Sequence, residues 1–197
     1  DATIREIHHR VKNNLQTVSA LLRLQSRRSS EEAVKVALAE AERRVQAIAT
    51  VHAALSQNVD ESVDFDEVAR TIVRMAGAIA STDHSVEVIT TGSFGTIQAD
   101  QAQALATVLN ELVANSVEHG LADRDGLIEV RAEREGTSMT VTVADDGVGF
   151  VPGTPMSGLG TQIVHQMVRG ELKGSIEWTP REGGGTLVTL HANLDPA

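Results

Sequence analysis

Two adjacent histidines near the start of the chain, His8 and His9, open the run His-His-Arg-Val-Lys-Asn-Asn-Leu-Gln. A neutral imidazole is a nucleophile near neutral pH, because its unperturbed pKa is about 6.5. If the run is helical, Ile4, Ile7 and Val11 occupy the a and d positions of a heptad seam. His8 then lies beside the seam, and His9 lies at the outermost position. A histidine there has no packing role, so it either belongs to a solvated polar face or does chemistry.

Side chains three and four positions away from His9 share its helix face and could assist such a nucleophile. A neighbouring carboxylate such as Glu6 can orient the ring. Lys12 or Asn13 can meet an arriving phosphoryl group. The pattern alone is also compatible with an ordinary polar face.

A second set of polar residues, Glu111, Asn115 and His119, recurs every four positions along a predicted helix, opposite an apolar face. These residues either form the solvent-exposed face of an amphipathic helix or belong to a ligand-binding or catalytic site. In the second case Asn115 could supply a neutral oxygen to Mg²⁺, which prefers hard oxygen donors. Glu111, one turn away, could act as a general base or orient a ligand.

Residues 145–149 read Asp-Asp-Gly-Val-Gly and come directly after a hydrophobic strand. Gly147 and Gly149 would let the backbone approach a ligand closely. Asp145 could accept a hydrogen bond from an exocyclic amine. By itself this pattern is weak evidence, because glycines of this kind also form ordinary turns.

Two further glycine segments follow in the sequence. Gly158 and Gly160 flank Leu159 where a helix is expected to begin, and free N–H groups there can cradle phosphate. A weaker signal is Thr186, which follows three glycines and precedes the last strand. The order and spacing of all these patterns together favour a ligand site over a set of unrelated turns.

The composition excludes several classes of protein. The chain has 197 residues, 41% of them hydrophobic, which is enough for one domain or two small ones with a real core. A net charge of −10 argues against direct nucleic-acid binding, and the lack of Cys excludes disulfides and thiolate chemistry. No apolar run is long enough to span a bilayer, so a cytoplasmic location is expected. Because the chain begins inside a helical pattern, we expect a fragment of a longer protein.

The first element that must position these groups is a pair of helices. Residues 3–28 are predicted to form one helix. Ser29 and Glu32 are predicted to form a capping box for a second helix, which ends near residue 56. A short connection predicts an antiparallel hairpin, and because two helices cannot enclose a core, pairing with a second copy into a four-helix bundle is expected.

The second element is an α+β unit with a mixed sheet, in which strands and a few helices alternate irregularly. Domain boundaries are predicted at 1–59 for the hairpin and 60–197 for the α+β unit. Asp64 with Glu67, and Asp100 with Gln103, are predicted to cap helices. The other predicted elements are strands 84–91, 126–135, 138–144, 174–179 and 186–192, and helices 101–119 and 160–169.

These motifs together carry a family resemblance. Residues 60–197 resemble the GHKL or Bergerat-type ATP-binding domain that gyrase, Hsp90, MutL and histidine kinases share, an α/β sandwich, with residues 111–120 as the N box, 145–149 as the G1 box and 158–160 as the G2 box. Residues 3–56 resemble the dimerisation and phosphoacceptor hairpin of HisKA_2 sensor histidine kinases, relatives of the HWE group. The arrangement also resembles actinobacterial kinases that signal to an RNA-binding antiterminator response regulator.

The resemblance implies the catalytic fragment of a sensor histidine kinase, without its upstream sensory part. ATP and Mg²⁺ would be its cofactors, and a second copy of the chain and a response regulator would be its partners. His9 would be the phosphoacceptor, Asn115 would bind Mg²⁺, and Asp145 would recognise the adenine amino group. The phosphoryl group would pass from His9 to an Asp of the regulator. The catalytic set is completed by Glu6, Asn13 and Glu111, and the nucleotide-binding set is Asn115, His119, Asp145, Gly147, Gly149, Gly158, Leu159, Gly160 and Thr186.

Three departures from the family pattern bear on the mechanism. Arg10 follows His9 where the commonest kinases have an acidic residue, so Glu6 or a residue of the nucleotide domain would have to act as base. Glu118 stands where many N boxes have Lys, and residues 151–157 contain no F box. Two alternatives stay open at this point: an ATPase in which Glu111 activates water, and a non-catalytic dimerising scaffold.

Overall fold

The computed structural model describes residues 2–57, 61–78, 84–154 and 158–197. The predicted boundary at 59/60 and the end of the 151–157 segment fall outside these ranges. The helices are α1 (Ala2–Arg28), α2 (Glu32–Leu55), α3 (Phe65–Gly77), α4 (Ala99–Asn115) and α5 (Leu159–Arg169). The strands are β1 (Ser62–Asp64), β2 (Val86–Gly92), β3 (Thr96–Gln98), β4 (Gly126–Glu135), β5 (Ser138–Asp145), β6 (Ser175–Pro180) and β7 (Thr186–Asn193). Within the described ranges, no helix combines the length and apolar character that crossing a membrane requires.

The first two helices form the predicted antiparallel hairpin, as the side-chain contacts between them show. Near the open end of the hairpin His8 contacts His52. Near the connection Ser26 Oγ donates to the carbonyl of Lys35. The sequence numbers of the partners converge toward the connection, which is the signature of two antiparallel neighbours.

The capping box predicted at Ser29 and Glu32 is wrong. The backbone N–H of Ser29 still donates to the carbonyl of Gln25 at 3.1 Å, so this residue completes the last turn of α1. α2 begins later, with Glu31 at the N-cap and no side-chain cap. Ser29 Oγ instead accepts from the N–H of Glu31 at 3.2 Å and shapes the connection.

The predicted heptad seam is divided between two faces of α1. Ile4 and Val11 are half-buried, whereas Ile7 and Leu21 are 52% and 56% exposed. The pattern therefore describes two adjacent apolar stripes, one against α2 and one facing outward. A single heptad register merged them because a helix of 3.6 residues per turn drifts across a 3.5-residue repeat.

The second part of the chain is a mixed sheet under helices, as predicted. Its five strands have the order β2-β4-β5-β7-β6, in which β2 and β4 are parallel and every other pair is antiparallel. Along β4 the buried residues Ile128, Val130 and Ala132 alternate with more exposed ones, so one face of the sheet joins the core. Residues of α3, α4 and α5 complete the same hydrophobic cluster. The short strands β1 and β3, which the sequence did not predict, pair antiparallel beside it.

Of the two helix caps predicted in this part of the chain, one is confirmed and the other is wrong. Asp64 is the N-cap of α3, as predicted, although its carboxylate accepts from the N–H of Asp66 rather than from Glu67. The cap predicted from Asp100 is wrong. α4 begins at Ala99 because the N–H of that residue pairs with the carbonyl of Glu61 at 2.9 Å, where β1 meets β3, and no side chain caps it.

α4 also ends earlier than predicted. The α-helix stops at Asn115, and residues Ser116–Gly120 form one π-helical turn, closed by a bond from the N–H of Leu121 to the carbonyl of Ser116. A π turn holds more residues per turn than an α-helix and often occurs at functional sites. It widens the helix at the place where the polar stripe of the sequence continues.

Candidate active site

A cavity of about 510 Å³ lies between α2, α4, the end of β5 and the beginning of α5. It brings together most of the residues singled out from the sequence for nucleotide binding. The residues on its walls that come from those motifs are Glu111, Asn115, His119, Asp145, Gly149, Gly158, Leu159, Gly160 and Thr186. Segments more than 70 residues apart therefore form one concave site.

The wall formed by α4 carries the polar stripe. Glu111 is buried, Asn115 is half-buried and His119 is exposed, and all three line the cavity. The stripe is therefore the lining of a cavity rather than a wet helix face. The π turn begins directly after Asn115 and contains His119, whose imidazole is exposed.

Asp145 lies at the end of β5 and is 3% exposed. Its Oδ1 atom accepts from the N–H of Gly147 at 2.9 Å and from the N–H of Thr186 at 3.3 Å. Two backbone donors from separate segments thus hold the carboxylate in one orientation against the cavity.

The glycines around Asp145 are required by close backbone contacts. A Cβ on Gly147 would lie 2.2 Å from the carbonyl oxygen of Gly120, and a Cβ on Gly185 would lie 2.0 Å from the carbonyl oxygen of Asp145. Gly185 also has a φ of 96°, a left-handed conformation that other residues rarely adopt. Gly147, which does not line the cavity, therefore acts by allowing the turn after β5 to close onto the π turn.

The start of α5 lies against the stripe on α4. A Cβ on Gly160 would lie 2.5 Å from Oε2 of Glu111. With glycine at this position the first turn of α5 lies directly against the carboxylate, and a Cβ would have to displace that carboxylate from its pair with Arg44. The backbone N–H groups of such a first turn have no intrahelical partners and can bind anions.

Sequence reasoning missed two arginines of α2 that reach the cavity. Arg44 holds Glu111 in a bidentate ion pair, with Nε to Oε1 at 2.6 Å and Nη2 to Oε2 at 3.2 Å. The hydrogen bond to Glu111 raises the pKa of Arg44 above its ordinary value, so the guanidinium stays charged. Arg43 Nη1 donates to Glu118 Oε1 at 3.2 Å. No local pattern distinguished these arginines from the rest of the polar face of α2.

Trp178 is another residue that sequence reasoning did not assign to the site. It is the only Trp of the chain, it lines the cavity from β6, and its ring centroid lies 5.3 Å from that of His165. A half-buried indole on the cavity wall offers an apolar, polarisable surface to a ligand.

The histidine motif lies on α1, away from the walls of the cavity. His9 is exposed, and Asn13 Nδ2 is 3.4 Å from its Nδ1. Glu6, the carboxylate considered as a base, is engaged instead with Arg10, whose Nε and Nη2 lie 3.0 and 2.6 Å from Oε1. The catalytic roles of His9, Asn13 and Glu6 stay predictions.

His8 has a different environment from its neighbour. Its Nδ1 is 2.9 Å from Nδ1 of His52, and Nε2 of His52 is 3.1 Å from the amide nitrogen of Gln103 on α4. This chain of contacts links both hairpin helices to the α+β unit. His52 is 9% exposed, and burial, followed by the charge of His8, lowers its pKa.

The donor set around Asn115 fits a metal ion that is held mainly by a ligand. Among the described residues, no group of three His, Cys, Asp or Glu side chains could form a metal cage. Mg²⁺ commonly keeps several waters and takes one or two protein oxygens together with the phosphates of a substrate. One amide oxygen on the cavity wall is compatible with that mode of binding.

Comparison with known proteins agrees with the two-part architecture. Residues 6–79 match a family described as histidine kinase (HisKA_2), and residues 100–196 match the histidine kinase-, DNA gyrase B- and HSP90-like ATPases. The sensor histidine kinase PdtaS of Mycolicibacterium smegmatis is 47% identical over 98% of this chain and 40% of its own length. PdtaS of Mycobacterium tuberculosis H37Rv is 47% identical over 96% of this chain and 39% of its own length.

A solved structure, the blue-light activated histidine kinase EL346 of Erythrobacter litoralis, has a TM-score of 0.70 and 26% identity, covering 98% of this chain and 59% of that one. Taken together, these findings show that the chain belongs to the sensor histidine kinases with a HisKA_2 hairpin and a GHKL-type ATP-binding domain. The chain spans about 40% of the length of the curated PdtaS relatives.

Proposed function

We propose that this chain carries out the catalytic step of a sensor histidine kinase, in which ATP bound with Mg²⁺ phosphorylates His9. The phosphoryl group then passes to an Asp of a response regulator. The observation that best supports this proposal is the cavity itself, because it joins a fixed carboxylate, a metal-compatible amide and the glycine-rich start of a helix. These are the groups that an adenine nucleotide with a charged phosphate tail requires.

In this proposal Asp145 recognises the adenine amino group. A carboxylate that two backbone N–H groups hold in place loses little orientational freedom when it accepts from a ligand, which favours binding. Thr186 and Gly147 act mainly through this fixation. Leu159, 62% exposed at the start of α5, and the exposed ring of His119 would cover the bound nucleotide.

The phosphate end of the nucleotide would lie near Asn115 and the first turn of α5. Asn115 would hold Mg²⁺, which neutralises charge on the phosphates during transfer. Glu111 would orient groups in this region while Arg44 neutralises its charge. Phosphoryl transfer depends mostly on such positioning and charge neutralisation rather than on covalent chemistry from the protein.

His9 is well placed to receive a phosphoryl group from outside its own helix, since the imidazole is exposed. Asn13 contacts the ring and would orient it, or orient a water in the reverse reaction. Because His9 does not line the cavity, transfer requires either a rearrangement of the hairpin against the α+β unit or a second copy that presents its histidine.

We also propose that the chain forms a homodimer through the hairpin. The outward stripe on α1 consists of apolar side chains that are 42–56% exposed, namely Ile7, Val18, Leu21 and Leu24. A second copy would bury this stripe in a four-helix bundle. Sedimentation at tens of micromolar should show a dimer, and Leu21→Glu should shift it to monomer. A monomeric wild-type chain would contradict the bundle.

The experiment that tests the proposal is incubation with Mg²⁺ and ATP labelled at the γ-phosphate. We expect acid-labile, alkali-stable label on the wild-type chain and on His8→Gln, and none on His9→Gln or Asn115→Ala. His8→Gln is a matched control because it alters the adjacent imidazole. Loss of label only in His8→Gln would make His8 the acceptor.

The second candidate function, hydrolysis of ATP with Glu111 activating water, is tested in the same samples. It predicts phosphate release that His9→Gln leaves unchanged and no protein-bound label. The buried ion pair with Arg44 argues against it, because the guanidinium engages both carboxylate oxygens of Glu111, which are therefore not available to orient a water molecule. The antiterminator-type regulator, the cytoplasmic location and the upstream sensory part stay predictions.

A further inference from the structure

The charge on the walls of the cavity does not suit a polyphosphate unless the hairpin contributes. Of the described side chains that line it, four carry carboxylates: Glu40, Glu111, Glu118 and Asp145. Arg43 and Arg44 are the only Lys or Arg side chains among those described lining residues, and both come from α2. The α+β unit therefore supplies the fold of the site, and the hairpin supplies its permanent positive charge.

The two arginines differ in how many of their hydrogen-bond donors have partners. Arg44 is fixed by the bidentate pair with Glu111 and by Glu40 Oε2 at 3.5 Å. Arg43 has one 3.2 Å bond to Glu118, and its Nε is buried without a hydrogen-bond partner among the described residues. The Arg43 side chain as a whole is only 10% exposed, so water has little access to it.

A nine-tenths-buried guanidinium with an unused donor is costly, because a buried polar group without a partner loses its hydration. Guanidinium binds phosphate through two parallel hydrogen bonds, and such charge-assisted pairs are stronger than those of neutral groups. Arg43 lines the cavity, but its unused Nε is buried where it lies, so a phosphate group in the cavity would gain this donor only if the guanidinium turned away from Glu118. The phosphate would also compete with Glu118 for the rest of the guanidinium.

We propose that Arg43 of the hairpin is a ligand for the phosphate tail of the nucleotide, and that Glu118 occupies the guanidinium until the nucleotide displaces it. This inference rests on the proposed nucleotide site. It makes nucleotide affinity depend on docking of α2 against α4. If the ion pair only stabilised the fold, replacing Arg43 or Glu118 would change the affinity for Mg·ATP in the same way. If Arg43 binds phosphate, only the replacement of Arg43 should weaken that affinity.

The test is the Kd of Mg·ATP and of adenosine, measured by calorimetry on the whole chain for the wild type, Arg43→Gln, Glu118→Gln and Arg28→Gln. Arg28, exposed at the end of α1, is the control for loss of one positive charge. In Arg43→Gln the Kd for Mg·ATP should rise about tenfold or more, with adenosine changed by less than about twofold. Glu118→Gln should bind Mg·ATP at least as tightly as the wild type.

Each other outcome overturns the inference in a distinct way. Equal weakening of Mg·ATP in Arg43→Gln and Glu118→Gln would show that the ion pair only stabilises the fold. Unchanged Mg·ATP affinity in Arg43→Gln, with a binding wild type, would show that Arg43 does not contact phosphate. A wild-type chain that binds neither ligand would overturn the proposed nucleotide site, and this inference with it.

Discussion

Arg44 on α2 and Glu111 on α4, 67 positions apart in the sequence, form a two-point ion pair at the junction of the hairpin and the α+β unit. Glu111 is 2% exposed and the Arg44 side chain 17%. The pair lies against Gly160, at the first turn of α5. Docking of the two parts and the electrostatics of the cavity are therefore set by the same contact.

Breaking this pair from one side should destabilise the chain. Arg44→Met leaves the Glu111 carboxylate buried without its partner, and we expect the free energy of unfolding in urea to fall by about 3 kcal/mol, the lower end for a buried pair because Arg44 is partly exposed. The double variant Arg44→Met/Glu111→Gln removes the uncompensated charge and should recover at least about half of that loss. A double variant as unstable as the sum of both single variants would contradict a direct interaction.

Asp145→Asn should weaken the recognition of adenine while leaving the fold of the site intact. The amide oxygen of Asn can still accept from the N–H groups of Gly147 and Thr186, so the thermal midpoint should change little. The other position becomes a donor facing a donor on adenine, which should weaken Mg·ATP binding about tenfold or more. Calorimetry checks the affinity, and circular dichroism checks the fold. Undiminished binding would contradict adenine recognition by Asp145.

The stability of the chain should depend on the protonation of His52. Because its pKa is lowered in the folded protein, the unfolded chain takes up the proton first as the pH falls below about 6.5. Stability is then fully present above that pH and decreases as the pH falls toward the folded pKa. Its neutral ring accepts from Gln103 at Nε2 and donates to His8 at Nδ1, an arrangement that a second proton would disrupt.

The measurement is urea unfolding at pH 7.5 and pH 5.5 for the wild type and His52→Gln. We expect the wild type to lose more stability between the two pH values than the variant does. His84→Gln, a half-buried site near Asp125, is the control for a histidine outside this network. Equal losses in the wild type and His52→Gln would assign the pH dependence to other groups.

Trp178 should report nucleotide binding directly. As the only Trp of the chain and a residue of the cavity wall, it should change its emission when a ligand replaces water beside the indole. Titration with Mg·ATP should give a saturable change with the Kd found by calorimetry. Asp145→Asn should shift the curve to higher concentration. A titration without any spectral change, in a chain that calorimetry shows to bind, would place the ligand away from β6.

The sequence determined the classes of element and the motifs of the site, because these depend on local patterns. Hydrophobic periodicity predicted the hairpin and the mixed sheet. The order and spacing of Glu111, Asn115 and Asp145 favoured one ligand site, and the family resemblance implied that its ligand is a nucleotide. Helix starts were less predictable. Ser29 and Asp100 carry the side chains of caps, but backbone hydrogen bonds from the preceding segments fix where α2 and α4 begin.

What only the tertiary structure decided is the set of contacts between distant segments. Nothing near Arg43 or Arg44 in the sequence indicates that these residues line the cavity, because the charges they meet lie on another element. The sequence did not indicate the π turn either, and its last residue, Gly120, lies against Gly147 and Asp145 of a distant segment, where a Cβ on Gly147 would overlap the backbone. Local patterns specify which groups are present, but the partners that set their charge and orientation are chosen by long-range packing.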